Sequence, residues 1–255
     1  MRLAGRVALV TGAGSGMGRA SAIRFAEEGA TVVATDLDEA SVRETADQIT
    51  AAGGAARWAV LDVTSRENID RVVAEVERDH GILHVLFNHV GAPGAAGLDI
   101  TDEEWQFAID VNLKGGFFLT GAALPLLRKA SGSASVIFTA STAGLVGSPI
   151  SPLYSLTKGG VVNFVRGLAL NLAADGIRVN GICPGPIDTP MLPKFFSRAA
   201  EGVPAELMQQ YMSVIPLGRA GTVTEIANAA LFLACDESSF ITGVPLPVDG
   251  GYLAR

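Results

Sequence analysis

Short apolar runs alternate with longer amphipathic segments along almost the whole chain. Within one long segment Ile69, Val72, Val73 and Val76 recur at helical spacing and predict a buried helix face. Several short runs are apolar at consecutive positions, which is typical of parallel strands covered on both faces. The predicted strands are 7–10, 31–35, 56–61, 83–87, 135–140, 177–182 and 245–248.

The repetition of strand and helix indicates the fold class. It favours right-handed crossovers and therefore an α/β, doubly wound sheet of about seven mainly parallel strands with helices on both faces. No linker rich in proline and serine and no fixed repeat divides the sequence, so we predict a single domain over 1–255. The less regular stretch 188–214 predicts an insertion or lid near the substrate.

Composition narrows the classes of partner. The net charge is −7, and nucleic-acid surfaces need clustered lysine and arginine, so we expect no nucleic-acid partner. No uninterrupted apolar stretch approaches the ~20 residues of a membrane span. Cys183 and Cys235 lack metal-site and disulfide-framework spacing, and the three histidines are too scattered to predict a metal site. These features favour a soluble, cytoplasmic protein.

The stretch TGAGSGMG at 11–18 follows the first predicted strand and opens a helix near Met17. A helix start offers unpaired N–H groups and a partial positive charge, both of which suit phosphate. Gly12, Gly16 and Gly18 remove side chains where the backbone turns, approaches a pyrophosphate and packs on its neighbour. The alternative is a tight strand-to-helix loop without a ligand.

Asp36 ends the second predicted strand, where the adenosine ribose of a dinucleotide would lie. A carboxylate there accepts hydrogen bonds from the ribose hydroxyls and repels a 2′-phosphate, so we predict NAD in preference to NADP. The alternative interpretation is a helix N-cap or a surface aspartate.

Tyr154 and Lys158 are four residues apart, so on a helix their side chains share one face. An ammonium beside a phenol favours the phenolate, which is the form of a general base. Ser141 follows the strand SVIFTA at the sheet edge where ligands bind in open α/β folds, and its hydroxyl suits a substrate oxygen. The alternative for Ser141 is a loop hydroxyl bonded to its own backbone.

Together these motifs resemble the short-chain dehydrogenase/reductase family, in its compact single-domain branch, over essentially the whole chain. Thr11 and the three glycines resemble its Thr-Gly-x-x-x-Gly-x-Gly turn, and PGPIDTP at 184–190 resembles its nicotinamide loop. FITGVPLPVDGG resembles its last strand. The chain departs from the family at NHVG, 88–91, where His89 and Val90 replace asparagine and alanine. We interpret His89 as a structural hydrogen-bonding residue rather than a ligand or catalyst.

The resemblance implies a Rossmann-type fold and assigns roles to site residues. Tyr154 is the expected general acid/base, Lys158 the residue that holds the nicotinamide ribose, Ser141 the group that orients the substrate oxygen, and Asn112 the holder of a water linked to Lys158. The expected cofactor contacts are Gly12, Ser15, Gly16, Met17, Gly18, Asp36, Leu37, Asp62, Val63, Asn88, Val90, Gly91, Tyr154, Lys158, Pro184, Gly185, Ile187 and Thr189.

The expected substrate is a medium-sized, largely uncharged secondary alcohol or ketone. Its predicted pocket is mainly apolar: Pro93, Leu98, Leu145, Val146, Ile150, Met191, Leu192, Phe195 and Phe196. Lys194 and Arg198 leave an anionic substrate open, and the apolar residues also suit lid packing or a subunit contact. The resemblance further implies a homotetramer that pairs helices near 102–130 and 153–174.

Two rival functions remain open. One is an NADPH-dependent ketone reductase of the 3-oxoacyl type, which Asp36 disfavours. The other is a non-enzymatic nucleotide-binding scaffold on the same fold, which the presence of all four expected catalytic residues disfavours.

Overall fold

The computed structural model describes residues 1–148, 150–193 and 212–254. In these residues seven parallel strands form one sheet in the order β3-β2-β1-β4-β5-β6-β7. The strands are β1 Val7–Thr11, β2 Thr31–Asp36, β3 Ala55–Val60, β4 Val85–Asn88, β5 Ala134–Thr139, β6 Ile177–Pro184 and β7 Pro245–Val248.

Seven helices of the described residues cover both faces of the sheet. They are α1 Gly16–Glu27, α2 Glu39–Ala51, α3 Arg66–His80, α4 Asp102–Ile109, α5 Gly115–Lys129, α6 Pro152–Leu172 and α7 Val223–Ala234. The cores show the arrangement: α3, α5 and α6 bury their apolar residues against one face, and α1, α2 and α7 against the other. Because both faces are covered, β1, β4 and β5 are buried at every position.

The α/β, doubly wound fold class predicted from the sequence is therefore confirmed. Strand bounds differ from the predicted ones by a few residues at most. The largest difference at a strand start is at β4, which begins at Val85 rather than at residue 83. There the ring Nδ1 of His84 accepts the backbone N–H of Val7 at 3.1 Å, so a side chain occupies part of the ladder.

The helical region at 102–130 is interrupted. One turn of π-helix, Asp110–Lys114, joins α4 to α5, and the Gly115 N–H donates to the Asp110 carbonyl five residues back. Such turns insert one residue into a helix and change the direction of the side chains that follow.

The described residues contain neither a membrane-spanning helix nor a cluster of metal ligands. None of their helices is both long enough and apolar enough to cross a membrane. Nor do they bring together three histidine, cysteine, aspartate or glutamate side chains that could hold a metal ion. Most of the predicted lid, 194–211, lies outside the described residues, so the lid stays a prediction.

Candidate active site

The predicted site residues meet at the carboxyl edge of the sheet. β1 and β4 are neighbours there, and the chain continues outward from them in opposite directions. In open α/β sheets such a reversal of strand order leaves a crevice in which ligands bind. The loops after β1, β4, β5 and β6 all open at this edge.

The glycine turn between β1 and α1 has the features of an anion site. Gly12 and Gly16 have φ of 65° and 53°, and a side chain on Gly18 would lie 2.0 Å from the Gly12 carbonyl oxygen. Ser15 is the N-cap of α1, but its side chain makes no capping hydrogen bond, and the first helical turn has no acidic residue. The exposed hydroxyl, together with the N–H groups that the first turn of any helix leaves without an intrahelical partner, therefore fits a pyrophosphate.

Gly14 is a part of this turn that the sequence analysis missed. Its N–H donates to Oδ2 of Asp36 at 2.9 Å, and a side chain here would lie 2.2 Å from the Ser41 hydroxyl. The Asp38 N–H donates to the other oxygen of Asp36, Oδ1, at 3.1 Å. The signal for Gly14 in the sequence was that the motif has one glycine more than the three assigned above. Glycine is needed at this position because a side chain would collide with Ser41 and Asp36.

Arg19 lies beside the same carboxylate-binding turn and is already paired. Its Nη2 donates to the Gly14 carbonyl at 2.5 Å and to the Ser41 carbonyl at 3.2 Å. The same nitrogen forms an ion pair with Glu44 at 2.8 Å. All these contacts use Nη2, and the ion pair with Glu44 offsets part of the charge, while the buried Nε has no hydrogen-bond partner among the described residues.

The other predicted cofactor contacts line the same edge with different exposure. Leu37 is 68% exposed, whereas Val63 is buried and packs against Gly115. Asp62 accepts hydrogen bonds from the N–H and the hydroxyl of Thr64 at one oxygen, Oδ1. Neither of these two hydrogen bonds uses the second carboxylate oxygen, Oδ2.

The loop after β6 reaches back to the glycine turn. Pro184 ends β6, Ile187 is buried, and the methyl group of Thr189 would lie 3.7 Å from a side chain on Gly16. The structure therefore brings 184–189 and the start of α1 together, as the family resemblance requires.

Lys158 and Tyr154 lie in the first two turns of α6. Ser151 caps this helix by accepting the Tyr154 N–H, and Pro152 occupies the first turn. The Lys158 ammonium donates to the Thr139 carbonyl at 2.9 Å and lies 5.7 Å from the centroid of the Tyr154 ring. Lys158 is 2% exposed, and burial lowers the pKa of its ammonium to about 8. The phenol thus has a buried cation within one helical turn.

The π-helical turn positions Asn112. Its Oδ1 accepts the Ala92 N–H at 2.8 Å, and its Nδ2 donates to the Ala92 carbonyl at 3.0 Å, so the amide fixes the loop after β4. A side chain on Gly91 would lie 3.2 Å from Asn112 Oδ1 and 3.1 Å from Lys158 Nζ. Gly91 therefore gives these two polar groups room to converge.

Ser141 begins the short 3₁₀ turn that follows β5. Its hydroxyl oxygen accepts the Ala143 N–H at 3.1 Å, which is the local backbone role considered as the alternative. Accepting this bond leaves the hydroxyl proton for another acceptor. Gly144 packs this turn on α6, because a side chain there would lie 2.5 Å from the Lys158 carbonyl oxygen.

A small, partly open cavity lies beside these polar residues. It has a volume of about 20 Å³, which is room for one water molecule, and Asn88, Asn112, Thr11 and Thr139 are among its lining residues. Asn88 donates from Nδ2 to Thr120, but within the described part of the chain its buried Oδ1 has no hydrogen-bond partner. This oxygen suits a bound water.

Two loops tied to each other border the predicted substrate pocket. The Gly97 N–H donates to the Ile150 carbonyl at 3.3 Å, and the Ser151 hydroxyl donates to the Ala95 carbonyl at 2.7 Å. Leu98 and Val146, one on each loop, are 85% and 45% exposed. Pro93, Leu145, Met191 and Leu192 are partly buried, while Lys194, Phe195, Phe196 and Arg198 lie outside the described residues.

Comparison with known proteins adds an independent line of evidence. A protein-family profile described as Enoyl-(Acyl carrier protein) reductase matches residues 12–253. The chain is 38% identical to the 3-oxoacyl-[acyl-carrier-protein] reductase FabG of Thermotoga maritima, over 98% of this chain and 99% of the relative. It is 40% identical to the 2,5-dichloro-2,5-cyclohexadiene-1,4-diol dehydrogenase LinX of Sphingobium indicum, over 98% and 97% of the two chains.

Solved structures agree over the same length. The crystal structure of levodione reductase superposes with a TM-score of 0.94 at 31% identity and covers 100% of both chains. A Beutenbergia cavernae protein described as an NAD(P)-dependent gluconate 5-dehydrogenase, with NADP bound at low occupancy, has a TM-score of 0.90 at 32% identity. It covers 99% of this chain and 98% of its own.

Proposed function

The chain belongs to the short-chain dehydrogenase/reductase family of oxidoreductases, and from that membership we propose that it interconverts a secondary alcohol and its ketone with NAD as the cofactor. One observation carries the proposal for this chain. The buried Lys158 ammonium lies 5.7 Å from the Tyr154 ring centroid, at the crevice of the sheet and beside the glycine turn. That is an acid/base group with a cation to tune it, next to a site that fits a dinucleotide.

The family uses a nicotinamide cofactor, and the residues of this chain fit one. The uncapped start of α1 would hold the pyrophosphate, Asp36 the adenosine ribose, and the loop 184–189 the nicotinamide end. Bound there, the nicotinamide supplies the acceptor or donor of a hydride.

The preference for NAD is the finer part of the proposal. It rests on Asp36. Two backbone amides hold its carboxylate in place, and a 2′-phosphate bound there would be repelled by the negative charge of this carboxylate. The Arg19 guanidinium, which would be the group to offset that charge, is already paired with Glu44.

Four residues of the chain would carry out proton transfer in this reaction, each with a different role. Tyr154 takes the proton of the alcohol during oxidation and returns it during reduction. The Lys158 ammonium favours the phenolate by its charge. Ser141 donates its remaining hydrogen bond to the substrate oxygen, and the water-sized cavity lined by Asn112 supports the proposal of a water on the path from Lys158 to solvent.

The substrate we propose is medium-sized and largely apolar. Leu98 and Val146 are exposed apolar side chains on two loops at the edge of the sheet. Hydrogen bonds between the two loops hold them together. An uncharged alcohol gains from burying such surface, whereas a charged one loses hydration there.

A second candidate function is supported by one observation. FabG of Thermotoga maritima, at 38% identity over nearly the whole chain, is a 3-oxoacyl-[acyl-carrier-protein] reductase. A reductase of that type using NADPH is therefore the alternative. Turnover of a 3-oxoacyl thioester with NADPH that exceeds turnover of simple secondary alcohols with NAD would favour it.

A homotetramer and a cytoplasmic location complete the proposal. Phe117 on α5 and Leu156 and Leu170 on α6 are 53%, 50% and 83% exposed, which is the apolar surface that a subunit interface needs. Cys183 and Cys235 are free and buried, which suits a reducing compartment.

Replacement of the phenol tests the function. We expect Tyr154→Phe to lower kcat by at least about 100-fold, because general acid/base catalysis contributes ~10²–10⁴. Turnover is followed by NADH absorbance over a panel of secondary alcohols, and NADH binding by fluorescence titration.

The binding constant separates chemistry from folding. NADH should still bind Tyr154→Phe, and Tyr252→Phe, which removes a phenol from the C-terminal turn, should keep turnover. Substantial activity of Tyr154→Phe would remove Tyr154 as the acid/base residue. A wild type that turns over no alcohol or ketone with either coenzyme would overturn the proposed function.

A further inference from the structure

His89 follows β4 and fills the space left by the glycine turn. Its ring packs on Phe87 with the ring centroids 5.3 Å apart. The Cδ2 edge of the ring faces the turn, because side chains on Gly12 and Gly18 would lie 3.3 and 2.8 Å from this atom. The imidazole is therefore in contact with the segment that would hold the pyrophosphate.

Polar contacts fix His89 at both ends. Its backbone N–H donates to the Thr11 hydroxyl at 2.9 Å, at the start of the glycine turn. Its ring Nδ1 is hydrogen-bonded to the hydroxyl of Thr139 at 2.8 Å. The carbonyl of the same Thr139 accepts the Lys158 ammonium at 2.9 Å. One residue thus touches His89 with its side chain and Lys158 with its backbone.

The groups around this contact keep the imidazole uncharged. Burial and, to a smaller extent, the nearby charge of Lys158 together lower the pKa of His89 to about 4. The Cys183 thiol, on β6, stays protonated because burial raises its pKa to about 11. Among the described residues, the titratable groups that face the Lys158 ammonium are thus the His89 imidazole, the Cys183 thiol and the Tyr154 phenol. At neutral pH the bond between His89 and Thr139 is therefore one between uncharged groups.

We propose that His89 is a positioning residue that couples the glycine turn to Lys158 through Thr139. The ring holds the Thr139 hydroxyl, and this fixes the end of β5 whose carbonyl orients the ammonium. The inference rests on the proposed function for its effect on turnover, but the coupling itself is a property of the protein without cofactor. It assigns a role to one of the two residues, His89 and Val90, at which the stretch 88–91 departs from the pattern of the family.

A double-mutant cycle on kcat tests the coupling. Thr139→Val removes the hydroxyl and keeps both the carbonyl and the side-chain shape. His89→Phe keeps an aromatic side chain, with a somewhat larger ring, and removes the nitrogens. We expect each to lower kcat several-fold, and the double variant to be no worse than the more impaired single variant. Coupled residues deviate from additivity by ~0.5–3 kcal/mol, that is by at least about twofold in kcat. Fully additive losses would overturn the inference.

A spectroscopic measurement without cofactor keeps the two proposals separate. We expect the ¹³Cε resonance of Lys158 in the apoprotein to move in Thr139→Val and in His89→Phe, and to move no further in the double variant. His80→Phe, the same change on α3, should leave it in place. If it moves in a protein without turnover, the proposed function fails and the coupling stands. If turnover is present and the resonance is unmoved by both variants, the coupling fails alone.

Discussion

Asp36 ends β2 with each carboxylate oxygen held by a backbone amide, from Gly14 and from Asp38. Lys158 and Asn112 are likewise held by the backbone groups of Thr139 and Ala92. A backbone partner does not rotate away as a side chain does, so these polar groups keep their positions before any ligand binds. Preorganisation of this kind reduces the ordering that binding would otherwise require.

Asp36→Asn removes the charge and keeps the outline of the side chain. Its amide oxygen can accept only one of the two backbone N–H groups that Asp36 accepts, because the amide nitrogen is a donor. We expect the ratio of kcat/KM for NAD to that for NADP to fall by about 10-fold or more, because hydrogen bonds to charged groups contribute ~1.5–3 kcal/mol. The loss of the negative charge also removes the repulsion of a 2′-phosphate.

The control is Asp38→Asn, two residues further on, where the carboxylate caps α2 by accepting the Ala40 N–H. Its ratio should stay at the wild-type value. An unchanged ratio in Asp36→Asn would mean that Asp36 has only a structural role in the turn.

Between helix α6 and the 3₁₀ turn after β5, two glycines face one another. A side chain on Gly144 would lie 2.5 Å from the Lys158 carbonyl oxygen, whereas one on Gly159 would meet only the Gly144 carbonyl, at 3.7 Å. The first glycine allows the turn that carries Ser141 to sit directly on the helix that carries Lys158. The second has space for a methyl group.

Gly144→Ala and Gly159→Ala therefore form a matched pair. We expect Gly144→Ala to lower the free energy of unfolding by ~1–3 kcal/mol through overpacking, and to lower kcat because it separates Ser141 from Lys158. Gly159→Ala should raise the free energy of unfolding by up to ~1 kcal/mol, since alanine favours a helix. Urea unfolding and steady-state kinetics measure both, and equal stabilities in the two variants would contradict the packing argument.

The same elements show what the sequence predicts and what it does not. The buried strands were predictable because apolar runs such as VALV are set by local pattern, and Tyr154 and Lys158 because helical spacing places them on one face. The π-helical turn at Asn112 was not, since it depends on the contact between its amide and Ala92. The contact of His89 with Thr139 joins the ends of two strands and has no local signal.

On the scale of the whole molecule, helices α5 and α6 carry three large apolar side chains that are exposed in the single chain. Phe117, Leu156 and Leu170 lie on α5 and α6, the helices that cover the same face of the sheet as α3. α2 covers the other face. These side chains lie on the helices that the family resemblance pairs between subunits, so they offer a direct test of the proposed tetramer.

Leu170→Glu tests the assembly. In a tetramer that pairs α5 and α6 between subunits, a carboxylate at this position would be buried without a partner, so we expect dissociation to a smaller species. Light scattering should give a mass of four 26.3 kDa chains for the wild type and a lower mass for the variant. Gln48→Glu, which adds the same charge on α2, should leave the mass unchanged, and an unaltered mass in Leu170→Glu would remove this interface.

The interruption between α4 and α5 amounts to one inserted amino acid. Deleting one residue from 110–114 would let the two segments run on as a regular helix and would turn everything on one side of the cut by about 100° relative to the other. The shortened chain would gain regular hydrogen bonds and lose the grip of Asn112 on Ala92. Because α5 buries its apolar residues against the sheet, the rotation would also turn that buried face out of register. We therefore anticipate that such a deletion gives a less stable and catalytically poor protein.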